Sequence, residues 1–254
     1  GRFLNFSNPN GLPYVWRIER LVGEADAVSV SNRFLQKKFK GALLPHCRDT
    51  SVLDPQKFNP DEIKERIGLA GKKVVMFLGT PRPHKGLDDL LAAFKKIGDL
   101  NVKLVIIGAE NQQEFLKRVD HSIRESVVVL PKTPFQKLPE LLSAADILAI
   151  PQRRTSDSVG QIPARLFDAM SMAKPIIATR VSDIPEVLDN CGYLVDPNKP
   201  SQLADAIKYI LNHSDEARVK GDAARARCRQ KYDIHNLESG LSGLIEQVIA
   251  KKAN

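Results

Sequence analysis

Arg82, His84 and Lys85 gather three potential cations just ahead of Gly86 in the string FLGTPRPHKG. The preceding run VVMFL is apolar enough for a buried strand, and Gly79 permits a tight turn at its end. The cations are therefore delivered to the end of a strand, where they suit a phosphate or diphosphate. The string lacks the G-K-S/T ending of a Walker loop and is not the dinucleotide fingerprint G-x-G-x-x-G.

A second stretch, SVGQIPARLFDAMSMAKPIIATR (Ser158 to Arg180), supplies a complementary element. The apolar run ADILAIP before it reads as a strand, Pro175 to Thr179 after it as the next, and the residues between them as a helix with Pro163 in its first turn. A proline there costs nothing. The backbone N–H groups of Gln161 and Ile162, near the positive helix end, are then free for an anion. Leu166, Phe167, Met170 and Ala173 form the apolar stripe, and Arg165 and Asp168 fall off it. Asp168 then lies just over a turn into the helix, close to whatever its start holds. The same spacing equally describes a solvated Arg165–Asp168 ion pair worth about 0.2–0.5 kcal/mol. A third stretch, LPKTPF (Leu130 to Phe135), follows the strand-like VVVL. It reads either as a place for a nucleobase against backbone and Phe135 or as a proline-rich turn with a core phenylalanine.

These stretches need a frame, and alternation supplies it. From Lys72 onward strand-like and helix-like segments succeed one another: KKVVMFLG, a helix over 87–97, VKLVIIG, a helix over 113–119, VVVLP, a helix over 138–144, ADILAIP, the proline-started helix, PIIAT and GYLVDP. That pattern predicts an α/β fold, a Rossmann-like parallel sheet with helices on both faces. Its ligands belong at the carboxyl ends of the strands. Ahead of it, 13–26 reads as a helix, AVSVS as a strand, NRFLQKKFK as a helix and GALLP as a strand, a piece too small to be a domain. HCRDTSVLDPQKFNP, rich in Asp and Pro without periodicity, reads as a linker, so we expect residues 1–50 to be the remnant of one domain with its linker and 51–254 to be the second domain. The basic helix DEARVKGDAARARCRQKY reads as a solvated face, and the closing helix carries the stripe Leu237, Leu241, Leu244 and Val248.

The chain has 254 residues, 43% of them hydrophobic, enough for a substantial core. Its apolar runs are far short of the roughly 20 residues a membrane helix needs, and GRFLNFSNPNG has no signal-peptide pattern. Beginning with Gly, the chain is expected to be a processed or excised piece. Three scattered cysteines, Cys47, Cys191 and Cys228, argue against a disulfide framework or zinc site and suit a reducing cytoplasm. The net charge of +8 suits phosphorylated ligands, nucleic acid or peripheral contact with an anionic membrane. No nucleic-acid motif accompanies it, so nucleic acid is not expected as a partner.

The order GTPRPHKG, VKLVIIG, a proline-rich turn, SAADILAIP, a helix ending DAMSMAKPIIAT, DIPEVL and GYLVDP, over roughly residues 60–200, resembles the C-terminal donor-binding domain of retaining GT-B glycosyltransferases. EADAVSVSNRFLQKKF with LPHCRDT and FNP is similar to the end of that family's acceptor-side domain, whose remainder would be a missing partner. The resemblance implies transfer of a sugar, with retention, from a nucleoside diphosphate sugar to a sugar, lipid or protein acceptor. It implies that Arg82 and Lys85 bind the donor diphosphate near Gly79 and Thr80, that Asp168 binds the ribose, that Gly160, Gln161, Ile162 and Pro163 offer backbone to the phosphates, and that Pro131, Lys132 and Thr133 receive the base. Two departures stand out: Thr80 occupies the position of the family's usual Arg, and Gly160 that of the first of its two helix acids, with Asp157 lying too early to replace it. With no D-x-D motif the cations are expected to replace a metal, and no cofactor is implied. A sugar-nucleotide epimerase and a binding module without activity share the architecture.

Overall fold

The first strand-like residues after the opening helix are too few to stand alone, and they pair with each other. The computed structural model describes residues 12–99 and 101–253, so the stretch GRFLNFSNPNG lies outside it. Two compact units divide the chain, Gly1–Pro45 with Glu238–Asn254, and His46–Leu237. In the first, α1 (Leu12–Leu21) precedes β1 (Ser29–Val30), α2 (Arg33–Phe39) and β2 (Ala42–Leu43), with β1 and β2 parallel. Asn32 starts α2 by accepting the Leu35 N–H at 2.8 Å, satisfying a donor that a helix start leaves open. The α1 side chains Val15, Trp16, Ile18 and Leu21 are exposed.

In the second unit, α3 (Pro60–Arg66) leads into β3 (Lys73–Leu78), α4 (Leu87–Ile97), β4 (Val102–Ile107), α5 (Gln112–Arg118), β5 (Val127–Leu130), α6 (Leu138–Ser143) and β6 (Ile147–Ile150). It continues through α7 (Ser156–Val159), α8 (Ala164–Ser171), β7 (Ile176–Thr179), α9 (Ile184–Leu188), β8 (Tyr193–Val195), α10 (Pro200–Asn212) and α11 (Ser214–Lys231). The six strands β3 to β8 form one parallel sheet in the order β5-β4-β3-β6-β7-β8. Because successive side chains of a strand point to opposite faces, Val74 and Met76 of β3 pack with Leu166, Phe167 and Met170 on one side of the sheet. Val75 and Phe77 pack with Leu90, Phe94 and Ile207 on the other. The α/β expectation is met. The chain builds outward from β3 to β5 and then returns to lay β6 on the other flank of β3, which makes the carboxyl ends of β3 and β6 the switch point where such sheets open a crevice.

Three readings change. The segment expected as a linker lies on the core: Leu53 is fully buried, and its carbonyl accepts from Ser171 Oγ and from Arg225 Nη1, each at 2.9 Å. Its Asp-rich composition serves local turns, Asp49 accepting the Ser51 and Val52 N–H groups and Asp54 that of Gln56. The basic helix α11 is no free solvated face, because Ala217, Gly221, Ala224 and Cys228 bury a strip of small residues that carries no strong apolar signal. The closing helix α12 (Ile234–Ala253) buries none of its expected stripe, Leu241 being exposed and Leu237, Leu244 and Val248 half-buried.

Candidate functional site at the sheet switch point

The turn after β3 and the loop after β6 are stitched together. Gly79 turns with φ of 118°, and its N–H donates to Ile107 O at 2.8 Å. A 3-10 turn, Pro83–Lys85, then delivers the chain to Gly86, which caps α4 at φ of 70°. A Cβ on Gly86 would stand 1.7 Å from Pro151 O, so only glycine allows the two backbones to meet. His84 O accepts the Arg153 N–H at 2.8 Å, and Arg153 grips Asp89 through both Nε (2.8 Å) and Nη2 (2.7 Å).

Within this bracket the expected cations converge. Lys85 Nζ lies 3.1 Å, and Arg165 Nη1 3.4 Å, from the point a side chain on Gly79 would occupy. Arg82 is exposed at the rim and Lys85 half-buried. Burial, reinforced by Arg165 and then Arg82, pulls the Lys85 ammonium below its ordinary range. Burial also lowers His84, as do Lys85, Arg82 and Arg165, while Asp157 opposes the shift. Asp157, too early in sequence to replace the acid missing at Gly160, thus lies within electrostatic reach of His84. Like charges gathered in a partly desolvated crevice lower their own free energy by recruiting an anion.

Arg165 is the residue that sequence reasoning missed. It is buried rather than solvated, donates from Nη1 to Leu78 O at 2.6 Å, and lies 4.6 Å over the Phe77 ring. The Arg165–Asp168 ion pair is not formed. Asp168, also buried, is held by Arg48 Nε, and its carboxyl is pushed up by burial while Arg48 pulls it down. The sequence signal for Arg165 was available: it sits in the first turn of the helix expected to face the anion.

The start of α8 also differs from expectation. Pro163 is the residue before the helix rather than in it, and the Gln161 N–H is already donated to Ser158 O at 3.1 Å. The loop tightens there because the buried Gln152 donates from Nε2 to Ser158 O and Gln161 O, fixing both carbonyls. The α8 N–H groups without an intrahelical acceptor therefore begin at Ala164. Ile162 is buried and Gly160 half-buried.

The Pro131–Thr133 turn follows β5, two strands from β3 and hence roughly 10 Å away across the sheet. Lys132 is exposed, Thr133 Oγ1 donates to Pro131 O at 3.1 Å, and Phe135 is 49% exposed, so the core-phenylalanine alternative fails. Between the turn after β3 and the connection from β4 into α5, a cavity of about 480 Å³ is lined by Thr80, Arg82, Glu110, Asn111, Glu114 and Phe115. Among the described residues no hydrogen bond or ion pair joins the Pro131–Thr133 turn or Asp168 to Arg82 or Lys85.

The doubly wound parallel sheet, with Arg82, Lys85 and Arg165 gathered at its switch point, places this unit in the α/β class. Solved structures share the fold. Anabaena HepE, crystallised with UDP and glucose, superposes with a TM-score of 0.79 at 18% identity, over 92% of this chain and 66% of that one. Sucrose-phosphate synthase of Thermosynechococcus elongatus gives 0.78 at 20% identity, over 93% and 62%. Both place the sheet in the GT-B, Rossmann-like architecture. The chain belongs to the family described as Glycosyl transferases group 1, whose profile matches residues 72–213. A GDP-mannose-dependent alpha-(1-6)-phosphatidylinositol monomannoside mannosyltransferase of Mycolicibacterium smegmatis is 28% identical over 82% of this chain and 59% of its own length. A D-inositol 3-phosphate glycosyltransferase of Segniliparus rotundus is 27% identical over 82% and 51%. The chain thus spans about half to three-fifths of the length of these relatives.

Proposed function

We propose that this chain is the donor-binding half of a retaining glycosyltransferase, which moves a sugar from a nucleoside diphosphate sugar to a sugar, lipid or protein acceptor. One observation carries the reading: Lys85 and Arg82 share the switch-point crevice with Arg165, and no carboxylate pairs with any of the three among the described residues. Lys85 and Arg82 neutralise the diphosphate as it departs, so the protein works by positioning and electrostatic stabilisation without a covalent nucleophile. The nucleoside extends across the carboxyl end of β4, over the cavity, toward Pro131, Lys132 and Thr133. Asp168 orients the ribose after exchanging Arg48 for the ligand. Residues 1–50 close the acceptor-side domain, which supplies the acceptor and excludes water on closure. The relatives' own names make a lipid-linked or inositol phosphate acceptor the first to test. Among the described residues no helix is long and apolar enough to cross a membrane; the scattered cysteines suit a cytoplasmic protein, and the +8 charge suits peripheral contact with an anionic membrane.

Gly160 and the Arg48-held Asp168 favour a second reading, a nucleotide-sugar-binding module without turnover. Calorimetry with UDP, GDP and ADP, beside a labelled-donor transfer assay, separates the two. We expect one nucleotide to bind, Lys85→Ala to weaken it about tenfold or more, and this chain alone to give background transfer. Absence of nucleotide binding would remove both readings, and robust transfer by this polypeptide would remove the idea that it is only half of the enzyme.

A further inference from the structure

Arg165 has more donors than the fold uses. The residue is only 6% exposed, yet Nε and Nη2 have no hydrogen-bond partner, and only Nη1 is engaged, donating to Leu78 O. A buried guanidinium without its hydrogen bonds is costly, and fully paired ones are the rule. Arg153 shows what completes such a group here: it holds the Asp89 carboxylate with the Nε and Nη2 edge, a two-pronged bond to two oxygens of one anion. Arg165 leaves that same edge buried and without a partner. Lys85 Nζ and Arg165 Nη1 flank the point above Gly79, and among the described residues neither is paired with a carboxylate. A neutral hydroxyl could fill the edge geometrically but would leave two adjacent cations uncompensated, whereas a phosphoryl group meets both needs.

We propose that the Nε–Nη2 edge of Arg165 is a third cationic ligand of the donor diphosphate, taking two oxygens of one phosphoryl group next to Lys85; this rests on the donor-binding reading above. It assigns Arg82 to the exposed rim and makes Lys85 with Arg165 the inner grip. Burial lowers Arg165 to about 10 and Lys85 below its ordinary range, and an anion bound between them opposes both shifts.

The test uses the full chain, with inorganic pyrophosphate as probe. By calorimetry, Arg165→Met should weaken pyrophosphate about tenfold or more, while Arg165→Lys, which keeps the charge and loses the fork, should fall between it and the wild type. In the ¹⁵N-labelled wild type, the Arg165 Nε–H resonance, identified by its loss in Arg165→Lys, should shift and exchange more slowly when pyrophosphate is added. A merely structural arginine would not give that signature, and it is measurable even if Arg165→Met does not fold. An unmoved Nε–H signal at saturating pyrophosphate overturns the proposal whatever the variants do, and so does equal affinity in all three proteins. A wild type that binds neither pyrophosphate nor any nucleoside diphosphate overturns the donor-binding reading and this proposal with it. Unaffected Arg165 variants against a binding wild type overturn this proposal alone.

Discussion

The arginines of α11 and the arginine of α8 are chemically the same group put to opposite uses. On α11, Arg225 bonds the carbonyls of Leu53 and Ser171 and the Asp54 carboxylate, and Arg227 bonds the carbonyls of Val187 and Glu186 and the Asp189 carboxylate. Their donors are consumed by the fold. At the switch point, Arg165 has one carbonyl, and Lys85 beside it pairs with no carboxylate among the described residues. Counting positive residues therefore points to the wrong place, because on the most basic helix the two partly buried arginines, Arg225 and Arg227, are already answered. What marks a ligand site is charge that burial has isolated and the protein has not compensated.

That contrast can be broken in three ways, taken from the largest expected effect. Gly86→Ala forces a Cβ to 1.7 Å from Pro151 O at a left-handed φ, and should cost roughly 4 kcal/mol by urea unfolding. Where the variant still folds, pyrophosphate affinity should fall as well, since Lys85 is carried on the same turn. A loss below about 1 kcal/mol would mean that the turn yields and does not fix the cations. Arg225→Met should cost about 3 kcal/mol, because it strips partners from Asp54 and two carbonyls, and should leave pyrophosphate binding unchanged. If affinity drops with it, the two regions are not separable.

The smallest effect concerns an intermediate case. Lys174 donates to Ser143 O at 2.6 Å, and burial pulls its ammonium down to about 8, with Asp146 opposing the shift. An unfolded lysine keeps its proton to about 10.4, so between those pH values the unfolded chain holds more protons and stability rises with pH, by at most about 1.4 kcal/mol per unit. Lys174→Met should flatten that rise in unfolding curves taken from pH 8 to 10. An unchanged slope would show that the ammonium is compensated as fully as Arg225.

The sheet was legible because its strands are buried on both faces and read as unbroken apolar runs, and α4 was legible because Gly86 and Gly98 bracket an amphipathic repeat. The crevice followed from the same logic, since VVMFL ending at Gly79 puts Lys85 at a strand terminus wherever the sheet closes. Other features depended on distant residues. Local sequence does not reveal that Gln152, buried beneath the loop, occupies the Gln161 carbonyl and tightens the start of α8. Nor does it reveal that Arg48, far upstream, takes Asp168 and so leaves Arg165 without it. The short helices α7 and α9 are too brief for periodicity to register. On α11 the buried strip of Ala, Gly and Cys is set by how closely the helix must approach: a Cβ on Gly221 would meet Ala173 O at 2.3 Å.

The Leu53 carbonyl, where the 46–60 segment, the end of α8 and α11 all meet, also says something about the order in which the molecule is made. Its two partners lie 118 and 172 residues further along the chain. At an elongation rate of about 5–20 residues per second, the Arg225 codon is read roughly 10 to 30 s after that of Leu53. During that interval the segment can gain its contacts with the sheet and with Ser171, but it lacks the half of its seat that α11 supplies. Full docking of this strap therefore waits for α11, and a ribosome stalled before α11 would hold a chain whose six-strand sheet is already translated while the Leu53 carbonyl still lacks Arg225.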